Sequence, residues 1–328
     1  MVLNPYLEVL VSRVLAALRP VLIGFMVTNV MNLSGGVKDA LSFCNVLFVG
    51  NLCAALVVVS WFRPGPILAD LKALPRLIKL ALVFDGALAA LTSGLIFSGL
   101  MYTSSTNAIL LGRLAPVLYG LAGALIFGSV ITRREWFGFG FIIAGTLVVA
   151  LIGNGGMVDK GDALILLSTV VFAFSAVLSK AVLNRNVTLR GLVFARNASS
   201  GLIFFVIANI IYGPHHFANA FSGSLWLVMG IYALIAIVIS QFLWFDATNR
   251  LDSISLSRWA TPAPAIGVLA AALLNQQLPN SSQISGLVIV MIGVVISSFS
   301  TRSPRQPNEE KQRLAEISSN SCETASPV

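Results

Sequence analysis

From residue 14 to residue 300 the chain is a succession of apolar runs, each about twenty residues long, parted by short joins rich in Gly, Pro, Asn and Ser. A helix of that length rises about 30 Å, the thickness of a bilayer's hydrocarbon core, and satisfies its backbone polar groups within itself. Only 10% of the residues are charged and 57% are hydrophobic, where water-soluble domains carry about one quarter charged residues. A soluble fold is excluded. The chain is expected to be an all-α polytopic membrane protein.

Ten runs read as spans, at about 14–34, 42–62, 78–101, 104–129, 135–153, 162–183, 191–212, 225–248, 252–275 and 283–300. From Thr301 the chain turns polar and rich in Ser, Glu and Pro, which predicts a disordered cytoplasmic tail over 301–328. With the N-terminus inside, sixteen basic residues fall in cytoplasmic segments: Arg13, Arg19, Arg63, Lys72, Arg76, Lys79, Arg133, Arg134, Lys180, Arg185, Arg190, Arg250, Arg302, Arg305, Lys311 and Arg313. Only Lys38 and Lys160 fall outside. This bias predicts that both termini are cytoplasmic, with the plasma membrane as the default location, and it accounts for the net charge of +8 without nucleic acid. The first twenty residues show no cleavage-like site and are not read as a signal peptide.

The two halves repeat. A shift of 148 residues lays Pro116 on Pro264, Gly138 on Gly286 and Gly145 on Gly293, with no gap, and lays "LAGAL" (121–125) on "LAAAL" (269–273). Residues 1–154 and 155–300 therefore form two units of five spans each. An odd number of spans inverts the second unit relative to the first, an arrangement found in secondary transporters that bind substrate near the midplane.

Within each unit a small-residue turn ("YTSSTNA" from Tyr102) precedes an apolar helix with a central proline, Pro116. A basic loop follows ("TRRE" from Thr132), then a helix, "GFGFIIAGTLVVAL" from Gly138. The second unit answers with "NRLDSISLSRWATPAPAIGVLAAALL" from Asn249 and "SGLVIVMIGVVIS" from Ser285. Each half resembles an EamA repeat of the drug/metabolite transporter superfamily. The chain departs from it at Gly128-Ser129 and Gln276-Gln277, where such repeats commonly carry a glutamate. The resemblance implies a ten-helix carrier of small metabolites, working by alternating access.

Intramembrane charge is expensive and marks function by default. Arg113 and Arg258 lie on faces of small and polar residues, Thr106 with Pro116 and Gly120 for the first, Ser255 with Thr261 and Pro262 for the second. Such faces suit a cavity wall, and two guanidiniums point to a substrate bearing a carboxylate or phosphate. Gln241 and Trp244 share a face of span eight with Thr248 and are a further binding-wall candidate. Asp85 is expected to pair with Arg113 on the adjacent span, either as a structural contact or as a proton-linked coupling switch. Arg196 is read as snorkelling to the headgroups, and Asp246 as an interfacial partner of Arg250. His215 and His216 sit in a loop, and no metal or cofactor site is expected. HExxH, GxSxG and GxxxxGK are all absent from the sequence, which argues against an intramembrane enzyme. A receptor would not need the inverted repeat. The expected partners are a small-molecule substrate and lipid, with the chain acting as a monomer or homodimer.

Overall fold

The structure is a computed structural model that describes residues 4–28, 43–152, 156–213, 223–252, 255–256, 259–260, 263–276 and 278–298. Among these residues the regular elements are all helices. The 301–328 tail, Lys38, both histidines and Arg258 lie outside the described residues.

The first half opens with α1 (Pro5–Thr28), α2 (Phe43–Phe62), a short α3 (Pro64–Ala73) and α4 (Arg76–Leu100). Next come α5 (Ser105–Leu111), α6 (Leu114–Phe127) and α7 (Arg133–Leu147), which runs on as a π-helical stretch, Val148–Ile152. The second half holds α8 (Lys160–Leu183), α9 (Leu189–Tyr212) and α10 (Gly223–Tyr232), which passes through π-helical Ala233–Ile239 into α11 (Ser240–Arg250). It ends with α12 (Ala263–Leu274) and α13 (Ser281–Ser298). Six of the described helical stretches are long and apolar enough to cross a membrane, and α2 with α3 makes a seventh if the bent pair counts as one. The protein is a multi-pass integral membrane protein.

Two breaks have local causes. At Arg63 the chain bends by 101° between α2 and α3, because Pro64 excludes the helical conformation from the residue before it; Arg63 adopts φ 64° and ψ 149°. Between α5 and α6, Pro116 has no N–H to give the Gly112 carbonyl. That carbonyl is taken instead by the Ala115 N–H at 3.2 Å, while the Arg113 N–H reaches the Leu110 carbonyl at 3.1 Å. The helix tightens for one turn, and Arg113 sits at the kink.

The repeat is visible in packing. A Cβ placed on Gly138 would lie 2.6 Å from the Gly293 carbonyl oxygen, and one on Gly145 would lie 2.7 Å from that of Gly286. Low residues of α7 thus meet high residues of α13, so these equivalent helices cross antiparallel with their backbones in contact. The same shift carries one capping box onto another: Thr132 with Glu135 at the start of α7, and Asn280 with Gln283 at the start of α13.

The first span needs correction. The expected 14–34 is replaced by a helix beginning at Pro5, so Arg13 and Arg19, counted among the cytoplasmic charges, both lie well inside α1. Its amino-terminal turn is carried by the other half: buried Glu8 pairs with Arg250, which also pairs with Asp246 one turn away. The expected Asp246–Arg250 contact is present.

Candidate functional site

Between the two halves lies a cavity of about 230 Å³, lined from α1, α2, α4, the α5–α6 kink, α8, α9 and the α10–α11 helix. Its walls are mainly apolar and small (Ala16, Ala17, Ala89, Ala108, Ala115), and four arginines enter it: Arg13, Arg19, Arg113 and Arg196.

Each guanidinium is held differently. Arg113 donates through Nη1 to the Ala260 carbonyl at 2.9 Å and through Nε to the Ile109 carbonyl at 3.4 Å. Ala260 is the residue that the 148-residue shift lays on Gly112, so the two halves meet at corresponding points. Arg19 donates through Nε to the Ala236 carbonyl at 2.7 Å, within the π-helical stretch, and through Nη2 to the Ser240 hydroxyl at 3.3 Å. Such widened turns are frequent at functional sites. Arg13 lies 3.9 Å above the centre of the Trp244 ring and 5.6 Å from that of Phe172, a cation–π seat. Its Nη2 reaches the Ser12 hydroxyl at 3.3 Å, and its buried Nε has no hydrogen-bond partner.

Arg196 alone of the four is neutralised. Its Nη1 meets Asp85 Oδ2 at 2.6 Å. The other carboxylate oxygen accepts from the Ser175 and Ser179 hydroxyls at 2.7 and 3.1 Å. This corrects two expectations. Asp85 pairs with Arg196 rather than with Arg113, and Arg196 points inward to that carboxylate rather than snorkelling outward. Gly86 makes the pairing possible: a Cβ there would lie 2.5 Å from that of Ser199 and 3.1 Å from the Arg196 carbonyl oxygen, so α4 and α9 approach closely only at a glycine. Among the described residues no carboxylate lies within ion-pair distance of Arg13, Arg19 or Arg113.

Of the residues expected at the site, Arg113 and Gln241 line the cavity. Gln241 exchanges hydrogen bonds with Asn197, accepting from its Nδ2 at 2.7 Å. Trp244 lies behind the wall, under Arg13. Thr106 is buried, and its hydroxyl has no partner; Ser255 is buried, and its N–H donates to Asp252 at 3.1 Å. Neither Thr106 nor Ser255 lines the cavity. Arg13, Arg19, Asn197 and Tyr232 were not anticipated as lining residues. The signal available for the first two was their position inside an apolar run.

A second polar cluster ties the halves together at the end of the bundle that carries Lys160. Buried Asp162 accepts from the Thr103 hydroxyl at 2.6 Å and from Asn107 Nδ2 at 3.1 Å. Gln283, from the other half, donates to Asn107 Oδ1 at 2.7 Å and to the Ser104 hydroxyl at 3.2 Å. Among the described residues no group of three His, Cys, Asp or Glu side chains is placed to hold a metal.

Comparison with known proteins agrees with this architecture. The model of the EamA-like transporter family matches residues 9–151 and again 159–299. A protein of Synechocystis described as an uncharacterized transporter is 29% identical over 269 residues, covering 79% of this chain and 77% of its own. The uncharacterized transporter YyaM of Bacillus subtilis is 21% identical over 227 residues, covering 68% and 73%. A solved crystal structure superposes with a TM-score of 0.57 at 18% identity, covering 88% of this chain and 96% of that one, and so shares the fold.

Proposed function

Since the chain belongs to the EamA-like transporter family, we propose that it is a ten-span carrier moving small organic anions by alternating access. The substrates are organic acids, organic phosphates, or zwitterions such as amino acids that present a carboxylate. One observation carries this reading: three guanidiniums, Arg13, Arg19 and Arg113, line the interior cavity with only neutral partners. Burying a cation without a counter-charge costs several kcal/mol, and a carboxylate or phosphate in the cavity offsets that cost through paired charge-assisted hydrogen bonds. The small walls leave room for a compact solute. Transport rather than catalysis is also what the family and the two named relatives point to.

In this reading Arg113 binds the anion from the kink, Gln241 with Asn197 contacts its polar groups, and Trp244 positions Arg13. Arg258 is assigned the same duty as Arg113 from the opposite half. The termini lie in the cytoplasm, and the plasma membrane is the proposed location. Single cysteines at Arg133 or Arg185 should then be shielded from an impermeant thiol reagent in intact cells, and one at Lys160 should react.

The test is ligand stabilisation of purified protein. Glutamate, malate and phosphoenolpyruvate should include stabilising ligands, while lysine, putrescine and glucose should have no effect. Arg113→Ala should abolish the shift, and Arg113→Lys should restore it only partly, because an ammonium lacks the planar two-point contact. Stabilisation by the cations or the sugar alone would refute an anion site.

A further inference from the structure

We infer that this protein is a strict exchanger, passing between its two access states only with an anion in the cavity, so that entry of one anion is tied to release of another. The inference rests on the anion-carrier reading above and goes beyond it, because an anion carrier can equally return empty.

The argument is a count of charge. Among the described residues four guanidiniums line the cavity, and the carboxylate beside them, Asp85, is committed to Arg196 and two serine hydroxyls. The remaining three are held by carbonyl oxygens, hydroxyls and aromatic faces. Such dipoles orient a cation but do not cancel its charge. While the cavity is open to one side, water and dissolved ions supply the screening. When it closes on both sides the effective dielectric falls, and like charges in one small chamber repel strongly. A bound anion's negative group lowers that barrier.

The anchoring also joins the halves. Arg13, Arg19 and Arg113 belong to the first half, yet they rest on Trp244, Ala236, Ser240 and Ala260 of the second. An anion held among them bridges the two bodies that must move. The partnerless Nε of Arg13 is a donor available to it.

The experiment uses proteoliposomes of the full chain, with radiolabelled glutamate and radiolabelled inorganic phosphate as probes. Valinomycin and potassium clamp the membrane potential, so that charge build-up does not itself limit net flux. Vesicles preloaded with the same unlabelled anion should take up label at least ~100-fold faster than vesicles loaded only with a bulky impermeant sulfonate buffer, as expected when an uncompensated buried charge adds to the barrier. Arg19→Gln removes one excess charge and should raise the ratio of net uptake to exchange, even if both rates fall. Equal uptake by loaded and unloaded vesicles would overturn exchange while leaving the anion carrier intact. An unchanged ratio in Arg19→Gln would overturn the charge-count reasoning. Uptake of labelled lysine or glucose in place of both anions would refute the anion reading, and exchange with it.

Discussion

Asp85→Asn isolates the one neutralised arginine of the cavity. The substitution keeps the side chain's size, so the loss is electrostatic. In the native protein Asp85 is fully buried and the Arg196 side chain is 9% exposed, with 2.6 Å between their charged atoms. Removing one partner of such a pair leaves a buried charge uncompensated, at a cost of about 3–5 kcal/mol. Asparagine retains an oxygen that Arg196 and the serines can use, so the lower end applies: about 3 kcal/mol, or a fall in Tm of roughly 4 °C for a chain of this size. The assay is thermal unfolding of purified protein in detergent. The double variant Asp85→Asn/Arg196→Gln should recover most of the loss, because the stranded charge is gone, giving a coupling energy of about 2 kcal/mol. Gly86→Ala should mimic the single variant by pushing α9 away. Transport by Asp85→Asn, compared across pH, separates anchoring from proton coupling: a coupling residue would lose pH-driven accumulation yet keep exchange. Wild-type stability for Asp85→Asn, with additive effects in the double variant, would refute the structural pair.

Three other perturbations test separate parts of the molecule. Gly145→Ala puts a methyl 2.7 Å from the Gly286 carbonyl oxygen and should cost about 1–3 kcal/mol in the same unfolding assay, whereas Gly140→Ala meets open space and should be neutral or slightly stabilising. Cysteines at Asn107 and Gln283, whose side-chain ends meet at 2.7 Å, should be bridged by a short reducible bifunctional thiol reagent that spans the gap the two side chains fill, and the bridge should arrest transport until reductant is added; transport through the cross-linked protein would show that this contact does not open in the cycle. At the end of α3, hydrogen bonds from Arg190 and then Thr188 hold the Asp70 carboxyl below the usual carboxylate range. A depressed folded pKa means that the contact contributes above the unfolded pKa and is lost as pH falls through the folded one. Hydrogen exchange of α3 should therefore quicken on acidification, and Asp70→Asn should remove that dependence.

The register of the halves was legible because prolines and glycines carry it, and their reasons for being there are steric. Pro116 kinks the span that presents Arg113, and Gly138 and Gly145 permit a backbone contact that no other residue allows. The arginines of α1 were not legible for an equally physical reason. Hydropathy penalises a charge wherever it stands, so it assigns Arg13 and Arg19 to a cytoplasmic segment although both stand in the apolar run of the first twenty residues. In the folded protein Glu8 pairs with Arg250 and both arginines face the cavity, so none of the three meets lipid. Their tolerance depends on residues more than two hundred positions away. The expected Asp85–Arg113 pair takes neighbouring spans to pack together, which holds for most but not all consecutive elements. Asp85 on α4 instead faces α8 and α9.

The repeat also sorts contacts by what alternating access asks of them. Shifting by 148 residues turns the Gly138–Gly293 contact into Gly286–Gly145, which is also present. It maps the Arg113–Ala260 pair onto positions 261 and 112, each one residue along the sequence from the observed contact. Contacts that map onto themselves lie near the pseudo-two-fold axis. If the second access state arises when the two halves trade conformations, as in other inverted-repeat carriers, contacts on the axis persist in both states. Contacts off the axis must trade places. The Asn107–Gln283 contact is off the axis, since its image is Ser255 with Glu135 at the opposite end of the bundle, so on this scheme one pair would part as the other closes. On the proposed alternating access, Arg113 would remain at the cavity whichever side is open, as an anion site shared by both states requires, and the α7–α13 crossing would serve as the pivot.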